Sequence, residues 1–317
     1  MMNKVIILLG PTGVGKTEVS ILLAKALGTE IISADSMQIY KGMDIGTAKP
    51  SREQREKVKH RMIDIAGPSE SYSAGRYIED VVPLIENLHK KNRIPVIAGG
   101  TGLYIKAMTR GIFSGPSADW KLREELAALE DGQSGALYSY LQELDPDAAS
   151  KIMPADTRRI IRAIEVCLKT KQGMSELQQK LTRPLPYEFI KIGLTRDRKE
   201  LYKMIEERVD KMLQSGFVDE VKRIVEKLNK SSSPLRPFTA LHAIGYKEIL
   251  MHLNGEIPME EAVRLIKRNT KRYAKRQFTW FNKEDDIHWV DITGIQEVNE
   301  IFKRVWKILD GLINKAG

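Results

Sequence analysis

The sequence has almost no cysteine, few histidines and no long run of apolar residues. Its one cysteine, Cys167, excludes an internal disulfide and any cysteine-based zinc site, and it favours a reducing compartment. The five histidines are scattered without metal-ligand spacing. No apolar run approaches bilayer-spanning length, and Val5–Leu9 is too short for the core of a signal peptide. These absences predict a cytoplasmic protein that has no membrane association.

Positive charge, in contrast, is abundant. The 51 lysines and arginines outnumber the 42 acidic residues, which gives a formal net charge of +9 over 317 residues. A basic surface favours a polyanionic partner, although charge alone does not identify that partner. The composition, 42% hydrophobic and 29% charged, is typical of a globular protein. The length exceeds what one hydrophobic core usually supports, so we expect two structural units.

The most informative stretch is the glycine-rich loop Gly10-Pro11-Thr12-Gly13-Val14-Gly15-Lys16-Thr17. A short apolar run precedes it and apolar residues at helical spacing follow it, as in a phosphate-binding P-loop. The glycines allow backbone N–H groups to surround phosphate oxygens, and the helix N-terminus adds partial positive charge. Lys16 provides a cation for the terminal phosphate, and Thr17 provides a hydroxyl for Mg²⁺. A glycine-rich turn without a ligand is the less favoured alternative.

Two further predicted strands end on candidate functional residues. Glu30–Ala34 leads into Asp35, and Ile94–Ala98 leads into a glycine-rich turn that contains Thr101. Strands that alternate with helices predict a parallel α/β sheet, whose functional groups collect at the carboxyl ends of its strands. Asp35 is a candidate general base, with a helix-cap or turn role as the alternative. Thr101 is equally consistent with a site residue and with part of a tight turn.

The pattern changes after Gly115-Pro116. Residues 119–195 contain three predicted helices and end in a predicted strand, Phe189–Leu194, that returns to the sheet. We therefore assign residues 1–118 and 196–317 to a P-loop α/β core with C-terminal helices, and residues 119–195 to an all-helical insertion domain. An exposed loop is predicted at residues 231–234. A late basic helix is predicted over about Glu260–Phe281.

Several function classes remain open at this level. The strand before Gly99 lacks the terminal acid that usually helps nucleotide hydrolases hold Mg²⁺, which disfavours a motor-type ATPase but leaves a small-molecule kinase open. The arginines near the start of an insertion helix and the aromatic residues at the end of the late basic helix favour RNA. The alternative for the late basic helix is a solvated charged face. A non-enzymatic RNA-binding module would explain the charge but not the strand-end residues.

Taken together, the motifs resemble the bacterial tRNA dimethylallyltransferase family. They are Gly10–Thr17, Ser33–Tyr40, Gly46–Pro50, Ala98–Tyr104, Arg158–Val166, Ala243–Glu248 and Ala274–Phe281. The resemblance implies transfer of a dimethylallyl group from dimethylallyl diphosphate to N6 of the adenosine 3′ of the anticodon, with release of diphosphate. It also implies that the helical insertion clamps the anticodon stem-loop. One departure is His60-Arg61, where relatives often have two histidines, and the chain has no zinc-finger extension.

The resemblance assigns roles to individual residues. Asp35 would be the general base, Thr101 would lie near the bridging oxygen, and Lys16 and Arg208 would contact the diphosphate. The residues Gly10, Pro11, Thr12, Gly13, Val14, Gly15, Lys16 and Thr17 would bind the diphosphate, with Mg²⁺ on Thr17. Contacts to tRNA would come from Asp35, Ser36, Met37, Gln38, Thr101, Arg123, Arg158, Arg159, Arg162, Gly245, Tyr246, Lys247, Lys275, Arg276, Gln277 and Trp280. Neither a membrane nor an obligate protein partner is expected.

Overall fold

The computed structural model describes residues 3–229 and 239–314, so the loop predicted at residues 231–234 lies outside the described residues. Six strands form one sheet: β1 Lys4–Leu9, β2 Ile31–Ala34, β3 His60–Arg61, β4 Val96–Gly99, β5 Glu188–Thr195 and β6 Ile287–Asp291. Their order is β3-β2-β4-β1-β5-β6, and every neighbouring pair is parallel. The predicted parallel α/β sheet is confirmed.

The α-helices of the described residues fall into three groups along the chain. Those before the helical insertion are α1 Lys16–Ala26, α2 Arg52–Lys57, α3 Ala74–Lys90 and α4 Gly102–Thr109. Those that follow, up to β5, are α5 Trp120–Gly132, α6 Ala136–Leu144, α7 Pro146–Ala149, α8 Thr157–Thr170 and α9 Met174–Leu181. After β5 come α10 Arg198–Gln214, α11 Phe217–Asn229, α12 Tyr246–Leu253, α13 Met259–Phe281 and α14 Val298–Asn314. A short 3₁₀ turn, Thr239–His242, precedes α12. None of these helices is both long and apolar enough to cross a membrane.

The centre of the sheet is β1, which is buried along its whole length and pairs with β4 on one side and β5 on the other. Its continuous apolar run is what a strand covered on both faces requires. The strands predicted from such runs are confirmed within one or two residues. Sequence patterns did not indicate β3, which has two residues, or β6, in which apolar and polar residues are mixed at the sheet edge.

The chain divides into two compact units, residues 1–105 with 186–317, and residues 106–185. The helical unit therefore begins and ends earlier than the predicted 119–195. Its end differs because β5 pairs with β1 and β6 and so belongs to the sheet. Its start differs because the segment after α4 packs within the helical unit, where a Cβ at Gly111 would lie 2.2 Å from the Arg183 carbonyl oxygen.

The helical unit has its own apolar core. Leu137 and Leu141 of α6 and Ile160 and Ile164 of α8 are almost completely buried in one cluster. Their spacing of four residues on each helix places them on one face, as the sequence periodicity predicted. Cys167 is buried and unpaired, which agrees with its interpretation as a small apolar residue.

Candidate active site

Three strand ends of the core meet at one cleft, as the sequence predicted. The P-loop follows β1, Asp35 follows β2, and the glycines that precede Thr101 end β4, which lies between those two strands. The cleft has a volume of about 280 Å³. Its polar wall is formed by Thr12, Gly13, Gly15, Lys16, Thr17, Asp35 and Arg208, among other residues. Thr101 is not among the residues that line the cleft.

The P-loop has a positive φ at three glycines, Gly10, Gly13 and Gly15, and the first and last of these show why glycine is needed. Gly10 has a φ of 147°, and a Cβ there would lie 2.7 Å from the carbonyl oxygen of Leu194 on β5. Gly15 has a φ of 104° and occupies the position immediately before α1. Both values lie in the region that side chains disfavour. The loop therefore turns sharply from the central strand into α1 and directs the N-terminus of that helix at the cleft.

Two cations of the cleft have neutral partners. The Lys16 ammonium donates hydrogen bonds to the carbonyl oxygens of Gly10 at 2.9 Å and Pro11 at 2.8 Å. Arg208, from α10, donates from Nη2 to the Thr12 hydroxyl at 2.7 Å. Its buried Nε has no hydrogen-bond partner among the described residues. Both side chains thus have capacity to bind an anion.

The protein environment lowers the pKa of both cations. Burial lowers the pKa of Lys16 to about 8; nearby Asp35 opposes this shift and Arg208 adds to it. Burial also lowers the pKa of Arg208, again against the influence of Asp35. Desolvation disfavours the charged form of a buried cation, and a bound anion would stabilise that form further than Asp35 alone does. The electrostatics therefore favour an anionic ligand in the cleft.

The Asp35 carboxylate is fixed by the backbone that follows it. Its Oδ1 accepts hydrogen bonds from the amides of Met37 at 2.8 Å and Gln38 at 3.3 Å, which is the turn geometry that the sequence allowed as an alternative. The turn and the site are not exclusive, because Asp35 also lines the cleft. Oδ1 holds the turn, and the same side chain forms part of the polar wall.

Thr101 ties the neighbouring strand end to this turn. Its hydroxyl oxygen accepts a hydrogen bond from the Ser36 amide at 3.0 Å, and its own amide donates to the Ala34 carbonyl at 3.1 Å. Tyr273 of α13 also contacts the Thr101 side chain and lines the cleft. Burial and the Asp35 charge raise the pKa of Tyr273, so its phenol remains protonated.

Gln277 has a role that the sequence did not indicate. It is buried, its Oε1 accepts from the Thr12 amide at 2.8 Å, and its Nε2 donates to the Gly100 carbonyl at 2.7 Å. It therefore connects the P-loop to the end of β4, whereas the resemblance placed it at the tRNA. The available signal was its position on the buried stripe of α13, in register with Ala262, Ile266, Thr270, Ala274 and Phe281.

Another part of the cleft lining is apolar. Ile31, Ile63, Ala98 and Pro50 line it. His60 lies among them and hydrogen-bonds through Nδ1 with the Val58 carbonyl at 2.8 Å. Burial lowers the pKa of His60, which favours the neutral imidazole. The cleft therefore combines a phosphate-binding end with a surface suited to a small hydrocarbon group.

Two of the arginines assigned to tRNA have structural partners in the helical unit. Glu165 is fully buried, and its carboxylate accepts hydrogen bonds from both arginines. Arg123 donates from Nε at 3.0 Å and from Nη2 at 2.7 Å, and Arg162 donates from Nη1 at 2.5 Å. The Asp119 amide is a further donor at 2.6 Å. Burial opposes ionisation of Glu165, but these hydrogen bonds outweigh it and lower its pKa. The guanidinium groups of Arg123 and Arg162 thus bind a buried carboxylate within the helical unit.

Arg158 and Arg159, in contrast, are exposed on the first turn of α8. Arg159 forms a surface ion pair with Asp156 at 3.3 Å, an interaction that contributes little stability. On the late helix α13, part of the predicted basic face is neutralised, because Lys267 pairs with Asp210 at 2.7 Å and Lys271 pairs with Glu206. The predicted continuous basic face is therefore shorter than the sequence indicated.

The end of α13 remains exposed. Lys275, Arg276 and Trp280 are all exposed, and the Trp280 ring covers Gly102, where a Cβ would lie 2.3 Å from ring atom Cδ1. An exposed indole beside basic side chains is suited to stacking on a nucleic-acid base. Gly102 directly follows Thr101, so this surface adjoins one of the three strand ends.

The predicted tRNA contacts at 245–247 also include both buried and exposed residues. Gly245 and Tyr246 are buried, and Lys247 is exposed. The Tyr246 hydroxyl donates to Glu220 at 2.6 Å, and its ring packs edge-on against Phe217 with centroids 5.1 Å apart. The structure therefore places Tyr246 in the core of this region.

The described residues contain no group of three or more His, Cys, Asp or Glu that could hold a metal ion. A magnesium ion bound together with a diphosphate needs fewer protein ligands, because phosphate oxygens and water complete its octahedron. Thr17 lines the cleft at the first turn of α1, one residue after Lys16. Its hydroxyl fits that role.

Comparisons with known proteins agree with this geometry. The family model described as IPP transferase matches residues 38–284. The tRNA dimethylallyltransferase of Thermodesulfovibrio yellowstonii is 56% identical over 99% of this chain and all of the relative. The crystal structure of the full-length tRNA isopentenylpyrophosphate transferase from Bacillus halodurans is similar, with a TM-score of 0.71, 39% identity, and coverage of 98% and 96% of the two chains.

A eukaryotic dimethylallyltransferase acting on tRNA, known from crystallographic snapshots, gives a TM-score of 0.82 at 30% identity. The match covers 99% of this chain and 80% of the other. The P-loop, the strand-end carboxylate and the late helix therefore occur in a chain whose whole length matches proteins of one kind. The chain belongs to the IPP transferase family.

Proposed function

We propose that this protein transfers a dimethylallyl group from dimethylallyl diphosphate to N6 of the adenosine 3′ of the anticodon in tRNA, with release of diphosphate. One observation carries the proposal: a single cleft contains a phosphate-binding loop, two cations with neutral partners, a carboxylate and an apolar wall. These are the groups that the reaction needs.

The diphosphate would occupy the polar end. The C1–O bond of the allylic substrate breaks as negative charge develops on the leaving diphosphate. The P-loop amides, Lys16 and Arg208 can stabilise that charge. Lys16 would exchange its carbonyl partners for phosphate oxygens, and Arg208 is held towards the loop by Thr12. Thr101 would lie near the bridging oxygen.

Asp35 would be the general base. The exocyclic amine of adenine is a poor nucleophile because its lone pair is delocalised into the ring, so its proton must leave as the new C–N bond forms. Oδ1 of Asp35 accepts two backbone amides, and we assign the second oxygen to that proton. The apolar wall formed by Ile31, Ile63 and Ala98 would contact the hydrocarbon chain.

Magnesium would complete the diphosphate site. Thr17 would hold it, and its chemistry is to neutralise charge on the diphosphate oxygens. No other ligand from this chain is assigned.

The tRNA would contact exposed basic and aromatic residues. Arg158 and Arg159 on α8, and Arg276 and Trp280 on α13, provide cations and a stacking surface. A target adenine in a stacked loop must leave the stack to reach a strand-end cleft.

The decisive experiment incubates the protein and Mg²⁺ with radiolabelled dimethylallyl diphosphate, with and without unmodified tRNA, and also with labelled ATP. We expect label to enter tRNA only when both substrates are present. Turnover of ATP with a small molecule would support a kinase. Binding of tRNA without transfer would support an RNA-binding module.

A further inference from the structure

We propose that Glu220 is a positioning residue that fixes the cleft-lining segment 43–49 through its backbone. Glu220 lies on α11, is buried, and is remote in sequence from the P-loop, Asp35 and Thr101. The inference rests on the proposed transfer reaction and deepens it, because it assigns the shape of one wall of that cleft to a residue outside it.

Three consecutive backbone amides of the segment converge on the Glu220 carboxylate. The amides of Asp44 and Ile45 donate to Oε2 at 2.9 and 2.8 Å, and the amide of Gly46 donates to Oε1 at 3.0 Å. Hydrogen bonds to a charged acceptor are stronger than those between neutral groups. One buried side chain thus determines the path of a segment that has no helix or strand of its own.

Tyr246 completes the set of donors around Glu220. Its hydroxyl donates to Oε1 at 2.6 Å. Burial and the Glu220 charge raise the pKa of Tyr246, so the phenol remains a donor. The rings of Phe217 and Tyr246 also enclose Gly46, where a Cβ would lie 2.2 Å from Phe217. The carboxylate therefore has four donors and a tightly packed surrounding.

The opposite side of the segment is held by Lys49. This lysine is buried, and its ammonium donates to the Tyr40 carbonyl at 2.8 Å and to Asp44 and Asp64 at 2.6 and 2.7 Å. The Glu220 carboxylate thus binds backbone amides of the segment. The Lys49 ammonium binds an oxygen of Asp44 within the segment and oxygens of Tyr40 and Asp64 outside it. Both are buried charges with several partners, an arrangement that leaves little freedom to the backbone between them.

The end of this segment forms part of the cleft lining. Thr47 and Ala48 line the cleft, and their carbonyl oxygens accept hydrogen bonds from the side-chain Nε2 of Gln38 at 3.4 and 3.3 Å. Gln38 itself lines the cleft and follows Asp35 by three residues. Displacement of 44–46 would therefore move the wall beside the proposed base, while the P-loop and Arg208, which hold the diphosphate, would keep their positions.

The test compares Glu220→Gln with Glu248→Gln. Glu248 is also buried and also accepts a backbone amide, that of Gly245 at 2.7 Å, together with the Asn269 side chain at 2.7 Å. Its hydrogen bonds to other segments of the described residues go to Gly245, which immediately precedes α12, and to Asn269 of α13, and not to 43–49. Each variant removes the charge of one buried carboxylate, but only Glu220→Gln removes the carboxylate that binds segment 43–49. Comparison of the two therefore isolates the effect of that contact.

We expect Glu220→Gln to lower kcat for tRNA prenylation by about 10- to 100-fold, the range that a misplaced cleft wall produces. Affinity for inorganic diphosphate, measured by calorimetry, should remain within about twofold of wild type, and hydrogen exchange at the amides of 44–46 should accelerate. Glu248→Gln should leave that exchange and kcat within about threefold.

Three results would overturn the inference: unchanged exchange at 44–46 in Glu220→Gln, unchanged kcat in the folded variant, or a loss of diphosphate affinity that equals the loss of kcat. Thermal unfolding identifies a variant that fails to fold, and Tyr246→Phe, which removes one donor and keeps the ring, then serves in its place. A wild-type protein that transfers no label would contradict the proposed function instead, and the exchange measurement would still test the contact.

Discussion

The cleft of the α/β core and the arginine cluster of the helical unit both concentrate positive charge, but they neutralise it differently. Lys16 and Arg208 of the cleft bind carbonyl and hydroxyl oxygens, which carry no charge. Arg123 and Arg162 of the helical unit converge on one buried carboxylate, Glu165. Burial lowers the pKa of the two cleft cations, whereas the arginines lower the pKa of their carboxylate partner.

The difference distinguishes cations that await a ligand from cations that stabilise the fold. Burial makes the charged forms of Lys16 and Arg208 electrostatically costly, nearby Asp35 offsets only part of that cost, and a bound diphosphate would reduce it further. A cation that shares a buried carboxylate already has its partner and is used internally. Charge in the sequence therefore does not show function until the partner of each charge is known. Four experiments test this distinction.

The largest effect is expected for Asp35→Asn. Asparagine keeps the side-chain oxygen that accepts the Met37 and Gln38 amides, so the turn should persist while the base is lost. Loss of a general base costs about 10²–10⁴-fold in rate. Single-turnover prenylation measures the rate, and filter binding should show unchanged tRNA affinity. Activity within a few-fold of wild type would remove Asp35 from this role.

Glu165→Gln should cause the second largest effect, on stability. Removal of the charge leaves Arg123 and Arg162 without their anion, and breaking a buried pair costs about 3–5 kcal/mol. Denaturant unfolding should show this loss, while affinity of the folded protein for inorganic diphosphate should persist. Because the pKa of Glu165 is lowered in the folded protein, its ion pairs with Arg123 and Arg162 should add to the free energy of unfolding at neutral pH. That contribution should be lost as pH falls through the lowered pKa. A loss below about 1 kcal/mol would show that the two regions do not differ as proposed.

Lys16→Met should weaken dimethylallyl diphosphate binding by about 10- to 100-fold, the value of a hydrogen bond to a charged group. In the wild type, affinity should fall as pH rises through about 8, because Lys16 loses its proton there. The effect of Lys16 on folding has the opposite dependence on pH. Because its pKa is lower in the folded protein than in the unfolded chain, the free energy of unfolding should rise from about pH 8 towards pH 10.5. Calorimetry across this range tests both the wild type and the variant, whose profile should be flat.

The smallest effect is expected at the exposed cations. Arg159→Ala and Arg276→Ala should each weaken tRNA binding at low salt and reduce the log–log salt slope by about one unit. Matched substitution of Lys267, which is paired with Asp210, should change the slope less. Affinity for dimethylallyl diphosphate should remain at the wild-type value. Unchanged slopes for both arginine variants would show that the RNA contacts other surfaces.

Local sequence patterns predicted much of the core. The apolar run of β1, the glycine spacing of the P-loop and the position of Asp35 after β2 depend on residues close together in the chain, so they could be read directly. The boundary at 185 differs from the predicted 195 because β5, which the sequence predicted to return to the sheet, was counted with the insertion, whereas its pairing with β1 makes it part of the core. The edge strand β6 was missed because its apolar pattern is mixed.

The parallel α/β core, the phosphate loop and the resemblance to a tRNA-modifying family follow from the sequence alone, since they depend on periodicity and contiguous motifs. Which charged and polar residues are free and which are paired depends on the folded arrangement. Gln277 meets the P-loop across 265 residues, and Glu220 meets the Asp44 amide across 176. Such partners depend on which helix packs beside which loop, and no local pattern records that choice.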